Sequence, residues 1–206
     1  MKEKQDKIYY VTAESWAAAK NSPHLEIFAK KEIEVLLLHD RVDEWLLQHL
    51  TEFDDKALQS VSKGMLDLGE LEDKDEAEKQ KETDNEFADL VKKIGAALGD
   101  EVKEVRVTHR LTDSPACLVS EEHDLGANLE RILKEAGQQV PTSKPILEIN
   151  PDHPIIARLK SKTEEAEISE WSHILLDQSQ LAEGGQLNDP AAYVKRLNRL
   201  LLELSE

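Results

Sequence analysis

The sequence has little that would point to a secreted, membrane or nucleic-acid-binding protein. Its single cysteine, Cys117, cannot form an internal disulfide, which favours a reducing, cytoplasmic setting. It has no apolar run of roughly 18 residues and no basic-then-apolar leader, so neither a membrane span nor a signal peptide is predicted. A net charge of −17 with only 4% aromatic residues predicts an acidic surface that repels phosphate backbones and anionic lipid. We therefore expect no nucleic-acid partner and no membrane partner.

Motifs for catalysis and for cofactor binding are also missing. Gly184 and Gly185 are not followed by the lysine or further glycines of a phosphate-binding loop, and the histidines form no His-Glu-x-x-His pair and no Cys/His grouping. Cys117 and His109 could in principle act as nucleophile and base, but a buried structural cysteine beside a surface histidine is the preferred interpretation. The sequence therefore predicts a protein that is not an enzyme, with no catalytic residue and no cofactor or metal site.

Residues 1–68 alternate between strand-like and helix-like patterns. Strands are predicted at Ile8–Thr12, Ile33–Leu38 and Ala57–Ser62, with helices between them. Such alternation favours a small α/β unit with parallel strands. A helix predicted from Val42 to Leu50 completes this unit.

Residues 69–85 are mostly charged and contain one large apolar side chain, Leu71, so a solvated linker or an exposed helix is predicted. Residues 86–206 then predict a mixed α/β domain, which makes the fold class of the whole chain α+β or α/β. Within it, two apolar runs at 101–109 and 116–120 are joined through a proline-containing turn and are predicted to be neighbouring strands.

A predicted helix from Asp124 to Ala136 is amphipathic, with Gly137 at its end. Its spacing favours a stripe that faces the core, although an exposed stripe is the alternative. The stripe consists of Leu125, Leu129, Ile132 and Leu133.

The last forty residues predict two amphipathic helices, one ending near Glu183 and one from Pro190 to about Leu204. Gly184-Gly185 supplies a helix stop, and Asp189-Pro190 a capping residue followed by proline at the first helical position. The apolar surface of the second helix is wider than one partner helix needs, so a further partner is expected. That surface comprises Tyr193, Val194, Leu197, Leu200, Leu201 and Leu204.

Several longer stretches of the sequence resemble a known protein family. Ile8-Tyr-Tyr-Val-Thr, Glu34-Val-Leu-Leu-Leu-His-Asp-Arg-Val-Asp-Glu-Trp and Leu50-Thr-Glu-Phe-Asp resemble the end of the middle domain of Hsp90-type chaperones. Val107-Thr-His-Arg-Leu-Thr-Asp-Ser-Pro-Ala-Cys-Leu-Val and Leu147-Glu-Ile-Asn-Pro-Asp-His resemble the C-terminal domain of the same family. The strings are collinear over nearly the whole chain, and the absence of the acidic tail of eukaryotic cytosolic members makes the bacterial members the most similar.

The resemblance implies a function in protein folding. Residues 1–68 would be the end of the middle domain, 69–85 a linker, and 86–206 the C-terminal dimerisation domain. The two last helices would form a four-helix-bundle homodimer, while ATP and Mg²⁺ would be bound only by the full-length chaperone. Glu32 and Asp55 stand where the family usually has glycine, which puts local turn stability in doubt. The alternative is a dimeric scaffold or adaptor that binds no unfolded client proteins.

Two sets of residues are implied by the resemblance. The expected dimer interface is Ile168, Trp171, Leu175, Tyr193, Val194, Leu197, Leu200, Leu201 and Leu204. The expected client-binding residues are Trp45, Leu125, Leu129, Ile132 and Leu133.

Overall fold

A computed structural model describes residues 1–2, 5–66, 68, 74–140 and 143–203 of the protein. The first five residues of the predicted linker, 69–73, and the predicted interface residue Leu204 lie outside the described residues.

A four-stranded mixed sheet organises the first part of the chain. Its strands are β1 (Lys7–Thr12), β2 (Val35–Leu38), β3 (Glu52–Phe53) and β4 (Lys56–Ser60), in the order β2-β1-β4-β3. Strand β1 pairs in parallel with both β2 and β4, which confirms the predicted parallel pairing, and β3 pairs antiparallel with β4. The sequence did not reveal β3, because two residues are too few to show an alternating pattern.

Short helices connect these strands. They are α1 (Trp16–Lys20), α2 (Glu26–Lys30) and α3 (Arg41–Leu46), with a 3-10 helix at Pro23–Leu25 before α2. Alternate residues of β1 and the inner sides of α1 and α2 form the first core, in which the rings of Tyr9 and Phe28 lie 4.8 Å apart. The core consists of Tyr9, Val11, Ala19, Ile27, Phe28, Ile33, Val61 and Leu68.

The second part of the chain begins with a long helix, α4 (Lys74–Leu98). Residues 69–85 were predicted to be a solvated linker or an exposed helix, and α4 begins within that segment. Residues 74–85 therefore form a helix and not a loop.

A three-stranded sheet lies against α4. It consists of β5 (Glu104–Val107), β6 (Ala116–Val119) and β7 (Ile146–Ile149), in the order β5-β7-β6. The prediction that the first two of these strands are neighbours is wrong, because β7 lies between them, parallel to β5 and antiparallel to β6. All four residues of β7 are buried, which suits a strand that is paired on both edges.

Four more helices complete this part: α5 (Ala127–Glu135), α6 (Pro154–Lys160), α7 (Glu165–Ala182) and α8 (Pro190–Glu203). A second core forms between the sheet, α4, α6 and α7, separate from the first core. Its buried members are Phe87, Leu90, Ile94, Leu98, Val102, Val105, Ala116, Leu147, Ile149, Ile156, Leu159, Ile168, Leu175 and Leu176.

Two of the turns hold residues in a left-handed conformation that favours glycine. Glu32, before β2, has φ of 52°, and Asp54 and Asp55, in the β3–β4 turn, have φ of 52° and 59°. Glu32 and Asp55 are the positions where the resemblance led us to expect glycine. A side chain with a Cβ is disfavoured in this region, so both turns carry local strain.

Glycine at these turns is expected to stabilise the protein. Glu32→Gly and Asp55→Gly should each raise the free energy of unfolding by roughly 0.5–1 kcal/mol, since relief of strain exceeds the added freedom of the unfolded chain. Urea denaturation measures the change. Glu52→Gly, in the extended strand β3, is the control and should lower stability; a loss of stability in all three variants would contradict the prediction.

Candidate protein-binding surfaces

Helix α3 turns its apolar side chains outwards. Val42, Trp45 and Leu46 are 67%, 46% and 51% exposed, whereas Glu44 is only 5% exposed. Positions three and four apart lie on one face of a helix, so the three apolar side chains form one stripe. We call Val42, Trp45 and Leu46 the α3 surface. A stripe that faces water while a carboxylate of the same helix faces inwards is the reverse of ordinary amphipathic packing.

Polar contacts fix this orientation of α3. The side-chain amide of Asn128, in α5, donates a hydrogen bond of 2.7 Å to Glu44 Oε1. Burial lowers the pKa of the nearby Lys63 ammonium, and the carboxylates of Glu44 and Asp124 oppose that shift. Burial also raises the pKa of Tyr10, and Glu44 adds to this effect. The buried carboxylate thus has both a hydrogen-bond donor and a cation nearby, which reduces the penalty for its burial.

The stripe of α5 faces inwards and not into a cleft. Leu129 and Ile132 are each 4% exposed, and α5 lies beside α3. The exposed interpretation of this helix is therefore wrong for these two residues, because its apolar side packs inside the subunit. Leu125 and Leu133 are half-buried. Of the predicted client-binding residues, Trp45 is the one whose side chain is substantially exposed.

The predicted interface residues of α7 lie mainly inside the subunit. Ile168 and Leu175 are 2% and 1% exposed and belong to the second core, and Trp171 packs against the same core. Ile168 and Leu175 are thus covered before any second subunit binds.

Helix α8 leaves much of its apolar surface uncovered. Val194, Leu201 and Leu202 are 51%, 53% and 70% exposed. Tyr193, Leu197 and Leu200 are half-buried. The prediction of an apolar surface wider than the hairpin needs agrees with these exposures, and Leu202 is an exposed member that it omitted.

Backbone geometry and ion pairs hold the α7–α8 hairpin. Gly184 has φ of 76°, and a Cβ on Gly185 would lie 2.8 Å from the carbonyl oxygen of Gln180, so both positions need glycine. Asp189 Oδ1 accepts a hydrogen bond of 3.0 Å from the backbone N–H of Ala192, which confirms the predicted cap. Two ion pairs of 3.3 Å then join the helices, Arg196 to Asp177 and Arg199 to Glu170.

A buried cluster of charges joins the two parts of the chain. Glu148, in the middle of β7, pairs with Arg106 at 2.6 Å and with Arg110 at 2.6 Å. Arg110 also donates to the backbone carbonyls of Val61 and Gly64, which belong to the first part. Both Glu148 and Arg110 are 2% exposed. A buried charge needs such complete pairing, so the cluster fixes how the two parts meet.

A second contact also joins the two parts of the chain. Glu26, at the start of α2, accepts hydrogen bonds from the backbone N–H groups of Thr112, Asp113 and Ser114 and from the Ser114 hydroxyl. Partial burial alone would raise the pKa of Glu26, but these hydrogen bonds outweigh it and lower the pKa. The ionised carboxylate therefore stabilises the junction.

Neither junction contact was predicted from the sequence. A signal for one of them exists in the string Ile-Leu-Glu-Ile at 146–149, since a charged residue within an apolar strand requires a buried partner. The partners cannot be identified from the string, because Arg106 lies on another strand and Arg110 in the loop that follows that strand.

The junction also contains a cavity of about 500 Å³. Its walls include Lys30 and Lys31 from the first part and Arg106, His109 and Arg110 from the second. The guanidinium groups of Arg106 and Arg110 are already bound to Glu148 and to backbone carbonyls.

Cys117 lacks the surroundings of a nucleophile. The thiol is fully buried, and its sulfur lies 3.9 Å from Glu148 Oε2. Burial, with the neighbouring Glu148 carboxylate, raises the pKa of Cys117 well above its usual value, so the reactive thiolate is disfavoured. In the part of the chain that the structure describes, no group of three or more His, Cys, Asp or Glu side chains is placed to hold a metal ion. Among the described helices, none combines the length and apolar character needed to cross a membrane.

Comparison with known families decides the classification. The sequence model of the family described as "Hsp90 protein" matches residues 1–205. The chain belongs to the Hsp90 family. The resemblance found in the local strings is therefore confirmed, and the family is one of molecular chaperones.

Curated relatives agree with this assignment. The chain is 63% identical over 206 residues to "Chaperone protein HtpG" of Nitrosococcus oceani, covering 100% of this chain and 32% of that protein. It is 64% identical over 204 residues to the protein of the same name from Aromatoleum aromaticum, covering 99% of this chain and 31% of the relative. The chain thus spans about a third of the length of the curated relatives that it matches.

Proposed function

We propose that this chain is the dimerisation and client-contacting segment of an Hsp90-type chaperone that assists the folding of unfolded or partly folded proteins. Within the longer protein, ATP and Mg²⁺ would be bound by another part, so this segment would contribute binding surfaces and not ATP hydrolysis. A cytoplasmic location belongs to the same proposal.

The inverted orientation of α3 is the observation that best supports client binding. Glu44 is held inside by Asn128, while Val42, Trp45 and Leu46 remain about half exposed or more. Exposed apolar stripes of this kind support binding to apolar segments of other proteins. Leu129 and Ile132 would contribute indirectly, by packing α5 inside the subunit beside α3.

The dimerisation role is supported by α8. Its exposed residues Val194 and Leu201 are adjacent to the half-buried Leu197, so a second hairpin could cover all three. Two hairpins related by a two-fold axis would form a four-helix bundle.

Removal of the α3 surface tests client binding. The double substitution Val42→Ser and Trp45→Ser should weaken binding of reduced, alkylated lysozyme, a permanently unfolded protein, at least tenfold, because two exposed apolar contacts are lost. Fluorescence anisotropy of the labelled lysozyme measures the affinity. The melting temperature should not fall, since neither side chain is buried.

Phe53→Ser is the matched control, because Phe53 is 66% exposed but lies on β3, at the opposite edge of the first sheet from β2, the strand that precedes α3. Unchanged affinity in the double variant would contradict client binding by α3. No binding of the unfolded lysozyme by the unaltered chain would favour the adaptor alternative, which binds no unfolded client proteins.

A further inference from the structure

Trp16 is an exposed tryptophan outside the α3 surface. It is the first residue of α1, is 55% exposed, and meets His39 edge-on with ring centroids 5.9 Å apart. Of the three tryptophans in the chain, Trp171 packs against the second core, whereas Trp16 and Trp45 are about half exposed. Tryptophan is enriched among residues that dominate binding energies.

Trp16 lies close to the start of α3. His39 follows the last residue of β2, and α3 begins two residues later at Arg41. The Trp16–His39 pair therefore lies at the start of α3, at the carboxyl end of the outer strand of the first sheet. His39 and Asp40 thus connect the chain beside Trp16 to the start of the helix that carries the α3 surface.

Carboxylates dominate the charge around this pair. Asp40 is exposed, with its Oδ1 3.9 Å from His39 Nδ1, and Glu14 lies two residues before Trp16 with its side chain 45% exposed. Arg131 lies 3.5 Å from Glu14 and also pairs with Glu135, which in turn pairs with Arg41. These linked contacts involve four carboxylates, of Glu14, Asp40, Asp43 and Glu135, and two guanidinium groups, of Arg41 and Arg131.

We propose that Trp16, with His39 beside it, is a second anchoring residue of the client-binding surface and takes a lysine or arginine side chain of the client. The indole face would attract the cation and its alkyl stem, while Glu14 and Asp40 would face its charge. The α3 surface would take an adjacent apolar part of the same segment. This inference rests on the proposed client-binding function and specifies its substrate class as apolar segments flanked by basic residues.

Two labelled peptides test the inference with the full chain. Both have a Leu-Phe-Leu centre; one carries lysines on either side and the other glutamates. The lysine peptide should bind at least tenfold more tightly, and its advantage should shrink at about 0.5 M salt because exposed charges are then screened. Equal affinities at low salt would overturn the charge preference.

Substitution of Trp16 identifies the anchor. Trp16→Ser should weaken the lysine peptide about tenfold and the glutamate peptide far less, and Trp16→Leu, which keeps apolar area but loses the aromatic face, should also reduce the lysine preference. Phe53→Ser is the control, since Phe53 is 66% exposed on β3, at the opposite edge of the sheet from β2.

The outcomes separate this inference from the proposed function. Full affinity in Trp16→Ser together with a loss in Trp45→Ser would overturn the role of Trp16 and leave client binding by α3 standing. Full affinity in both variants would overturn both. A loss in Phe53→Ser as large as in Trp16→Ser would also overturn the inference, because it would show general adhesion to exposed aromatic residues.

Discussion

Replacing Glu148 with leucine is expected to lower the free energy of unfolding by about 3–5 kcal/mol. The substitution would leave the guanidinium group of Arg110, which is 2% exposed, and that of Arg106 without their shared counter-ion. A buried charge without a partner is strongly destabilising, whereas an exposed ion pair contributes little. Urea denaturation of the variant and the unaltered protein measures the difference.

A surface ion pair offers a matched control for this experiment. Glu121→Leu removes a carboxylate that pairs with Lys103 at 2.8 Å, but both side chains are at least 40% exposed. Its effect should stay below about 1 kcal/mol. A comparable loss of stability in both variants would contradict a special role for the buried cluster.

The double variant Glu148→Leu with Arg110→Met separates pairing from burial. If the charges stabilise each other, the double variant should lose less stability than the sum of the single variants, because the second substitution removes the charge that the first left unpaired. Strict additivity would argue against coupling. Since Arg110 also donates to Val61 and Gly64, full recovery is not expected.

Introducing aspartate at Val194 and Leu201 is expected to convert the proposed dimer to a monomer. Each side chain, about half exposed in the single chain, would otherwise be covered by the second subunit, and covering an apolar side chain contributes up to about 1.5–3 kcal/mol. In a dimer with a two-fold axis each substitution is present in both subunits and acts twice on the interface. The dissociation constant should therefore rise by three orders of magnitude or more. Sedimentation equilibrium at micromolar concentrations measures the change.

Lys195→Asp is the control for added negative charge on α8. Lys195 is exposed and one position along the helix from Val194, so its side chain projects about 100° away. The control should remain dimeric. A monomer for the unaltered chain at tens of micromolar would contradict the dimer itself, and a dimer that survives both aspartates would place the interface elsewhere.

Local patterns predicted most of the secondary structure because local interactions determine it. Gly184, Gly185 and the Asp189–Pro190 cap have the roles predicted from their conformational preferences. Glu32 and Asp55 were expected at strained turns, and both have positive φ. The order of β5, β6 and β7 was predicted wrongly, because connection length does not reveal that a later strand inserts between two earlier ones.

The periodicity of the sequence does not reveal which apolar stripe is exposed and which is buried. The stripe of α5 and the stripe of α3 have similar patterns, yet Leu129 is buried and Val42 is exposed. A helix with one apolar face always has an energetic reason to bury it, but which neighbour covers it depends on residues far away in the chain. Here the Asn128–Glu44 hydrogen bond fixes the polar side of α3 inwards, and only the packed chain brings these two residues together.

The sequence by itself determined the family, the parallel pairing in the first sheet, the helix caps and the excess apolar surface of α8, because each depends on local conformational preference or on long collinear strings. Only the tertiary structure decided that Ile168 and Leu175 serve the core of the subunit, that α5 packs inwards, and that Glu148 unites the two parts of the chain. The physical reason is that burial and charge pairing are properties of neighbours in space, and such neighbours are set by the whole fold.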